Sequence, residues 1–391
     1  MKNFFENIFD VSSIIRSGFF IYQTAKFFSN NRYYYTPYNY RLEKILPKII
    51  STKINNSAFA LQISSNNPIE DRYTLKKFTL ENSNNALFMS VFDGHGGFSL
   101  SEYANNNIFN YFINAYNKLP KYLNEDDKIK NALLNSFYRI ENEFYNISYE
   151  KYLSGEGREA TLGTCALIGI IFNNKLYIAN LGDSKARMFS IYENDNKRYL
   201  VNKLTKVFNA RKKYEQERLI NLWPHDKNIF KCHKNNPKAC YVKGRLQPTR
   251  TLGDFHLKFQ EFNEHIQTKD NKNKYKKEIV DFEGPYINFV PEINVYQLND
   301  KDKYILLASD GLWDFLKSSE VSKLIKQYEK KRKFNNVENI SYKLLDNVLF
   351  KASEEANLSF NQMIQIPEGK LLRKIHDDIT MILCSLDKIK F

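Results

Sequence analysis

The chain has 391 residues, 42% of them hydrophobic and 15% aromatic, which supplies a core and excludes a chain disordered throughout. Gly 14 and Pro 10 are low counts that exclude collagen-like and Pro/Gly-rich low-complexity classes. The formal net charge is +14, from 58 basic and 44 acidic side chains. Such a balance admits nucleic acid, anionic lipid or acidic substrates. The basic residues are nevertheless scattered, apart from Lys269–Lys277 and Lys330–Lys333. The reading is therefore a solvated surface with no nucleic-acid partner. A mean hydropathy of −0.54, with no long uncharged apolar run, argues against a membrane span.

In chain order, residues 1–50 read as an N-terminal extension, either a targeting segment or a packed helix. Ile8, Val11, Ile14, Ile15 and Phe19 recur at helical spacing, with Arg16, Lys26 and Arg32 adding charge. Glu6 and Asp10 run against a mitochondrial-type presequence, which is poor in acids. Residues 51–391 form the main body, with a charged insertion near 255–285. Within it Leu87–Phe92, Thr164–Phe172, Lys175–Leu181 and Lys185–Tyr192 read as strands. Asn173-Asn174 predicts a tight hairpin turn. Tyr304–Ala308 and Ile379–Leu386 read as buried strands. Leu100, Tyr103, Ala104 and Phe112 mark one amphipathic helix, and Ile129, Leu133, Phe137, Ile140 and Phe144 a second. Val321–Glu329 and Ile340–Ala356 read as further helices. Hairpins, a helix pair and more hairpins do not make the strict strand–helix alternation of a doubly wound fold. They predict an α+β protein: antiparallel sheets packed together with helices outside.

Four cysteines do not make a disulfide framework in a chain of this length. Cys165 and Cys384 lie in apolar runs and read as buried thiols. Cys232 and Cys240, near His225 and His233, lack the close pairing of structural zinc sites and read as residues of a solvated loop. A reducing compartment, cytoplasmic or mitochondrial, fits this usage, with another organelle as the alternative if residues 1–50 direct it there.

The most informative residues are carboxylates at strand ends. Asp93 ends LFMSVFD and opens into Gly94-His95-Gly96-Gly97. Asp310 ends YILLASD, and Asp314 follows four residues later. Asp183 follows LYIAN, Asp377 and Asp378 precede ITMILCSL, and Glu70 and Asp71 lie together after Asn67-Pro68. One such Asp is usually a turn residue or helix cap. Five sites in one context point to acidic rims converging, and converging like charges require cations. Hard divalent ions such as Mg²⁺ or Mn²⁺ suit oxygen ligands.

The segments VFDGHGG, GTCALIGIIFNNKLYIANLGDSKA, RTLGD, LASDGLWDFL and HDDIT, in this order from about Ile63 to Leu386, resemble the signature motifs of the metal-dependent (type 2C, or PPM) Ser/Thr protein phosphatases. The resemblance implies two antiparallel sheets packed as a sandwich with helices on both outer faces. It implies phosphorylated proteins as substrates and two Mg²⁺ or Mn²⁺ ions per active site, with a weaker third. By motif, Asp93 would bridge the two ions. Glu70 and the Gly94 carbonyl would complete one shell, and Asp310 and Asp377 would hold the other ion. Asp71 would act through water, and Asp183 and Asp314 match the weaker site. A water between the ions would be the nucleophile. His95 would donate a proton to the departing Ser/Thr oxygen, against the blander reading that it only orients a carboxylate.

The Asn67–Arg72 segment, LTKVFNARKKYEQERL and GRLQPTRTLGDFHLK resemble pyruvate-dehydrogenase-phosphatase-like members of that family. Three places depart from the common pattern. Asn66 stands where many members carry a phosphate-binding Arg, leaving Arg72 or Arg250 as substitutes; Lys206-Val207-Phe208 follows Leu204-Thr205 where Asp-His is typical, a change of the surface more than of the metal centre; and Asp378 replaces the usual Asn. A monomeric, active phosphatase is the expectation. A catalytically impaired relative acting as a binding or regulatory protein is the runner-up.

Overall fold

The computed structural model describes residues 41, 43–80, 84–191, 198–233, 236–263, 279–329 and 336–389. The helical pattern of residues 1–40 and the basic runs Lys269–Lys277 and Lys330–Lys333 lie outside these. The strands are β1 (Ile50–Ile54), β2 (Ala58–Ile63), β3 (Arg72–Leu80), β4 (Asn84–His95), β5 (Gly163–Phe172), β6 (Lys175–Leu181) and β7 (Lys185–Ser190). They continue as β8 (Leu200–Lys203), β9 (Phe230–His233), β10 (Asn236–Val242), β11 (Leu252–Gly253), β12 (Glu292–Gln297), β13 (Asp302–Ala308) and β14 (Ile379–Ser385). The helices are α1 (Ser99–Lys118), α2 (Glu125–Leu153), α3 (Lys213–Leu222), α4 (Asp310–Trp313), α5 (Ser318–Glu329), α6 (Val337–Glu355) and α7 (Phe360–Gln365).

Two antiparallel sheets form the body. One runs β1-β2-β14-β13-β7-β8, and the other β12-β6-β5-β4-β3 with β11 paired to β5. The two-residue period of the central strands builds two cores at once. In β4, Leu87, Met89 and Val91 face the first sheet, together with Leu167 and Ile171 of β5 and Leu176 and Ile178 of β6, and meet Ile305 and Leu307 of β13 and Ile382 of β14. The alternate residues Ala86, Phe88 and Phe92 face α1 and α2, against Ile108, Phe112, Leu133 and Phe137. Such strands are buried on both faces and read as continuous apolar runs. On the far side α6 packs on β2 and β14, with Tyr342 meeting the Phe59 ring edge-on at 5.4 Å.

Local chemistry fixes the element ends. The Asn124 side chain caps α2 by accepting from the Asp127 amide at 2.8 Å, and Glu125, Asp126 and Asp127 fill its first turn, complementing the helix dipole. Asn173 and Asn174 both take positive φ, 46° and 59°, which gives the two-residue turn between β5 and β6 the twist the strands require. Trp313 is a buried core anchor, with its Nε1 donating to the Ala308 carbonyl at 3.1 Å. Phe255 and Phe262, at the start of the stretch expected as an insertion, are fully buried in the helix–sheet core. No helix among the described residues is long and apolar enough to cross a membrane.

Cys232 and Cys240 correct the sequence reading. They are direct partners across the β9–β10 ladder, with Cα atoms 4.0 Å apart, and form a disulfide. Antiparallel pairing brings their Cβ atoms side by side, which a linear separation of eight residues does not reveal. A bonded pair also removes the support that these two residues gave to a reducing compartment. Cys165 and Cys384 are free and buried.

Phe88 sits between the sheet and α1, with its ring 5.2 Å from that of Phe109. Phe88→Ala should destabilise the protein by about 3–5 kcal/mol in urea unfolding, through lost burial and a cavity. Tyr122→Ala, at a site 86% exposed, should stay within about 0.5 kcal/mol.

Candidate active site

The alternation that builds the sandwich also aims its acids. Asp93 continues the Leu87, Met89, Val91 series and emerges at the end of β4 on the face turned toward the other sheet. Asp310 opens α4 directly after β13, and Asp183 sits between β6 and β7. The three carboxylates converge, each offering an oxygen within 4.8 Å of the others. Asp183 is buried, and its oxygens accept from the Cys165 thiol at 3.3 Å and the Asn209 amide at 2.6 Å. Asp93 and Asp310 retain partial access to solvent.

Charge accumulates around this triad. Burial pushes the Asp93 carboxyl well above its usual range, and Asp310, Asp71, Asp377 and Asp183 push it further. Asp310 is raised in the same way, by burial and then by Asp183, Asp377 and Asp314, with Arg211 opposing. Asp71 is buried and raised, chiefly by burial and then by Asp378 and Asp377, and its Oδ2 has no hydrogen-bond partner. Burial raises Asp377 to about 6 although Arg373 opposes it. An orphaned, desolvated carboxylate oxygen beside three convergent acids suits a hard divalent cation. The site residues expected from the sequence thus lie in one electrostatic neighbourhood, with Asp93, Asp183 and Asp310 at its centre and Glu70, Asp71, Asp377 and Asp314 around it.

Glu70 is placed by its backbone. Its amide donates to Asp378 Oδ2 at 2.7 Å, and its carbonyl accepts from the Ser101 hydroxyl. Gly94 packs against that carbonyl so tightly that a Cβ would lie 2.4 Å from the oxygen. Burial and Asp378 raise the Glu70 pKa, against the cations His95, Arg373 and Arg158. Asp378 itself is a buried hub. Its Oδ1 accepts from the amides of Ser65 and Asn66 at 2.7 and 2.9 Å, and its Oδ2 from the Asn66 side chain at 3.1 Å. Asn66 and Asp378, both departures from the common motif, are therefore one hydrogen-bonded unit that shapes the loop leading to Glu70 and Asp71.

His95 pairs with Asp254 through Nε2 and Oδ2 at 2.7 Å, and the Thr251 hydroxyl donates to the same Oδ2 at 2.8 Å. Burial lowers the His95 pKa, but Asp254 outweighs it and the net direction is up. The Asp254 carboxyl is held below its usual range by His95 despite burial. Gly163 makes room for the pair, since a Cβ there would lie 1.9 Å from Asp254 Oδ2 and 2.2 Å from His95 Nε2. Asp254 has no assigned role in the sequence reading. Its only signal was its place in RTLGD, 159 residues from its partner.

The arginines offered for phosphate sort differently. Arg72 donates to the Ile69 and Asp71 carbonyls and to Glu102, with its guanidinium over the Phe98 ring. Arg250 lies over the Phe208 ring at 3.8 Å. Arg373 instead forms an ion pair with Asp377 Oδ2 at 2.5 Å.

Raised carboxyl pKa values carry a stability consequence. Unfolded carboxyls titrate near pH ~4, so the folded, metal-free site holds extra protons above that. The stabilisation from these groups is complete below the unfolded values and is lost as pH rises through about 6 for Asp377, with Asp93, Asp310 and Asp71 shifted in the same direction. The melting temperature of chelated protein should fall from pH 5 to pH 7, and saturating Mn²⁺ should flatten that slope. Equal slopes with and without Mn²⁺ would count against a cation-binding cluster.

The protein phosphatase 2C family profile matches residues 64–356. "Probable protein phosphatase 2C 48" of Arabidopsis thaliana is 28% identical over 332 residues, 84% of this chain and 80% of that one. "Probable protein phosphatase 2C 72" of Oryza sativa subsp. japonica is 28% identical over 329 residues, 83% of this chain and 77% of its own. Among solved structures, serine-threonine phosphatase 2C from Toxoplasma gondii superposes with a TM-score of 0.56 at 15% identity, covering 86% of this chain and 98% of that one.

Proposed function

We propose a mechanism from the premise that this chain belongs to the protein phosphatase 2C family. It is a metal-dependent protein serine/threonine phosphatase that uses Mg²⁺ or Mn²⁺ and acts on phosphorylated proteins. The observation that carries the reading is the convergence of Asp93, Asp183 and Asp310 from three separate strand ends.

In this proposal Asp93, Glu70 and the Gly94 carbonyl would hold one cation, and Asp93, Asp310 and Asp377 would hold a second, with Asp71 acting through water. Asp183 and Asp314 would hold a third, weaker one. When bound, the cations supply a water deprotonated near neutral pH and offset the charge on the phosphoryl oxygens. His95 delivers a proton to the departing Ser/Thr oxygen, and Asp254 favours the protonated ring by accepting at Nε2. Gly163 and Thr251 hold that pair in register. The pyruvate-dehydrogenase-phosphatase-like branch is proposed on the Asn67–Arg72, Leu204–Leu219 and Gly244–Lys258 segments. In the same reading the chain is a monomer with a catalytic domain over residues 51–391. It contacts no nucleic acid and works in the cytoplasm or mitochondria, with residues 1–50 as the segment that decides the address.

A phosphothreonine peptide should be hydrolysed with Mn²⁺ or Mg²⁺ and not with chelator. Asp93→Ala or Asp310→Ala should abolish turnover, and full turnover by Asp93→Ala would remove Asp93 from its assigned place. His95→Ala should lower kcat by about 10²–10⁴-fold while calorimetry finds manganese affinity nearly unchanged. Imaging a tagged chain with and without residues 1–50 tests the address: an unchanged distribution excludes a targeting role for that segment.

A further inference from the structure

A phosphoryl dianion entering an acidic pocket needs fixed positive charge at the pocket's edge as well as cations within it, so the guanidiniums can be sorted by what they face. Arg72 is committed to backbone carbonyls and Glu102 on the outer side of its loop. The groups around Arg250 are Glu215, Arg218 and Glu292, none of them in the acidic cluster. Arg158 faces Glu70, but its Nη2 donates to the Gly96 carbonyl at 3.2 Å. Arg211 bears on Asp310 as the last of the influences on that carboxyl, behind burial and three acids. Arg373 differs from these. Its guanidinium meets Asp377, and the carboxylates of Asp377, Asp310, Asp93 and Asp378 together outweigh burial to stabilise its charge.

Its backbone is fixed while its side chain is accessible. Gly369 donates to the Ser65 carbonyl at 2.7 Å, and Arg373 donates to Gly369 at 2.9 Å, which docks this turn on the loop that Asp378 organises. The Arg373 side chain is 47% exposed. We propose that Arg373 is the substrate-phosphate anchor of this enzyme, pairing with Asp377 in the metal-free protein and turning its planar N–H fork to the phosphoryl oxygens once a cation neutralises Asp377. This rests on the phosphatase reading above. The guanidinium offers five N–H donors in a geometry that matches two phosphate oxygens, and a charge that does not titrate near neutral pH. Asn66 has no charge to offer, and its side chain is already bound to Asp378.

The test is titration of inorganic phosphate into Mg²⁺-loaded protein, followed by ³¹P NMR, beside steady-state hydrolysis of a phosphothreonine peptide. Arg373→Ala should raise both the phosphate Kd and KM by about 10- to 100-fold, with kcat within about threefold and Mg²⁺ affinity unchanged or tighter. Arg373→Lys, which keeps the charge but loses the fork, should fall between wild type and Arg373→Ala. Lys374→Ala, at an exposed neighbouring position, should match wild type. Phosphate Kd and KM within twofold of wild type in Arg373→Ala overturn the proposal and leave Arg373 as a charge balance for Asp377. If Arg373→Ala does not fold, Arg373→Lys carries the decision by the same criterion. Failure of the wild-type protein to hydrolyse the peptide would sink the phosphatase reading, while the phosphate titration would still judge Arg373.

Discussion

Mutual repulsion among carboxylates gathered at the ends of two sheets is the constraint that organises this molecule. Each acid sits on a rigid strand or in the turn beside one, so none can relax away from its neighbours without disturbing a packed core. The surroundings moderate that repulsion group by group. Asn209 and Cys165 hold Asp183, Arg373 faces Asp377, and backbone amides surround Asp378. Among the described acids of this cluster, Asp71 keeps a buried oxygen without a hydrogen bond, which is the clearest sign that the protein chain does not complete its own site.

The Ser65–Asp71 loop shows how a change at one position is absorbed at another. Asn66 and Asp378 are 312 residues apart in sequence, yet their side chains bond directly. The same carboxylate fixes the Glu70 amide, so the pair sets the backbone path of two acids at once. Read singly, each departure from the common motif looks like a loss. Together they form a well-bonded connection with no cation at position 66.

How much of this was legible depended on the range of the signal. β4, β5 and β6 were plain because both faces are buried, and the turn between β5 and β6 was plain because two asparagines tolerate positive φ. β3 and β12 were missed because they are largely half-exposed and mix polar with apolar residues. α3 is only ten residues long and is polar overall, with Lys213, Glu215, Glu217 and Arg218 among few apolar residues. Within the site, Asp93, Asp183 and Asp310 were legible because each directly follows or closes an apolar run. Asp254, Arg373 and Asp378 were not assigned roles, because what defines them is a partner brought near by folding. The disulfide was hidden for the same reason.

Gly163 has a consequence for how this protein can change. The space where His95 and Asp254 meet is defined by a missing methyl group, at a position wholly inside the sheet. Replacement by alanine would leave the carboxylates of the cation cluster in place while forcing the imidazole and the Asp254 carboxylate apart. A descendant could therefore give up turnover in a single step while keeping its shape and its affinity for phosphorylated proteins, and sequence comparison confined to the acidic residues would still score it as active.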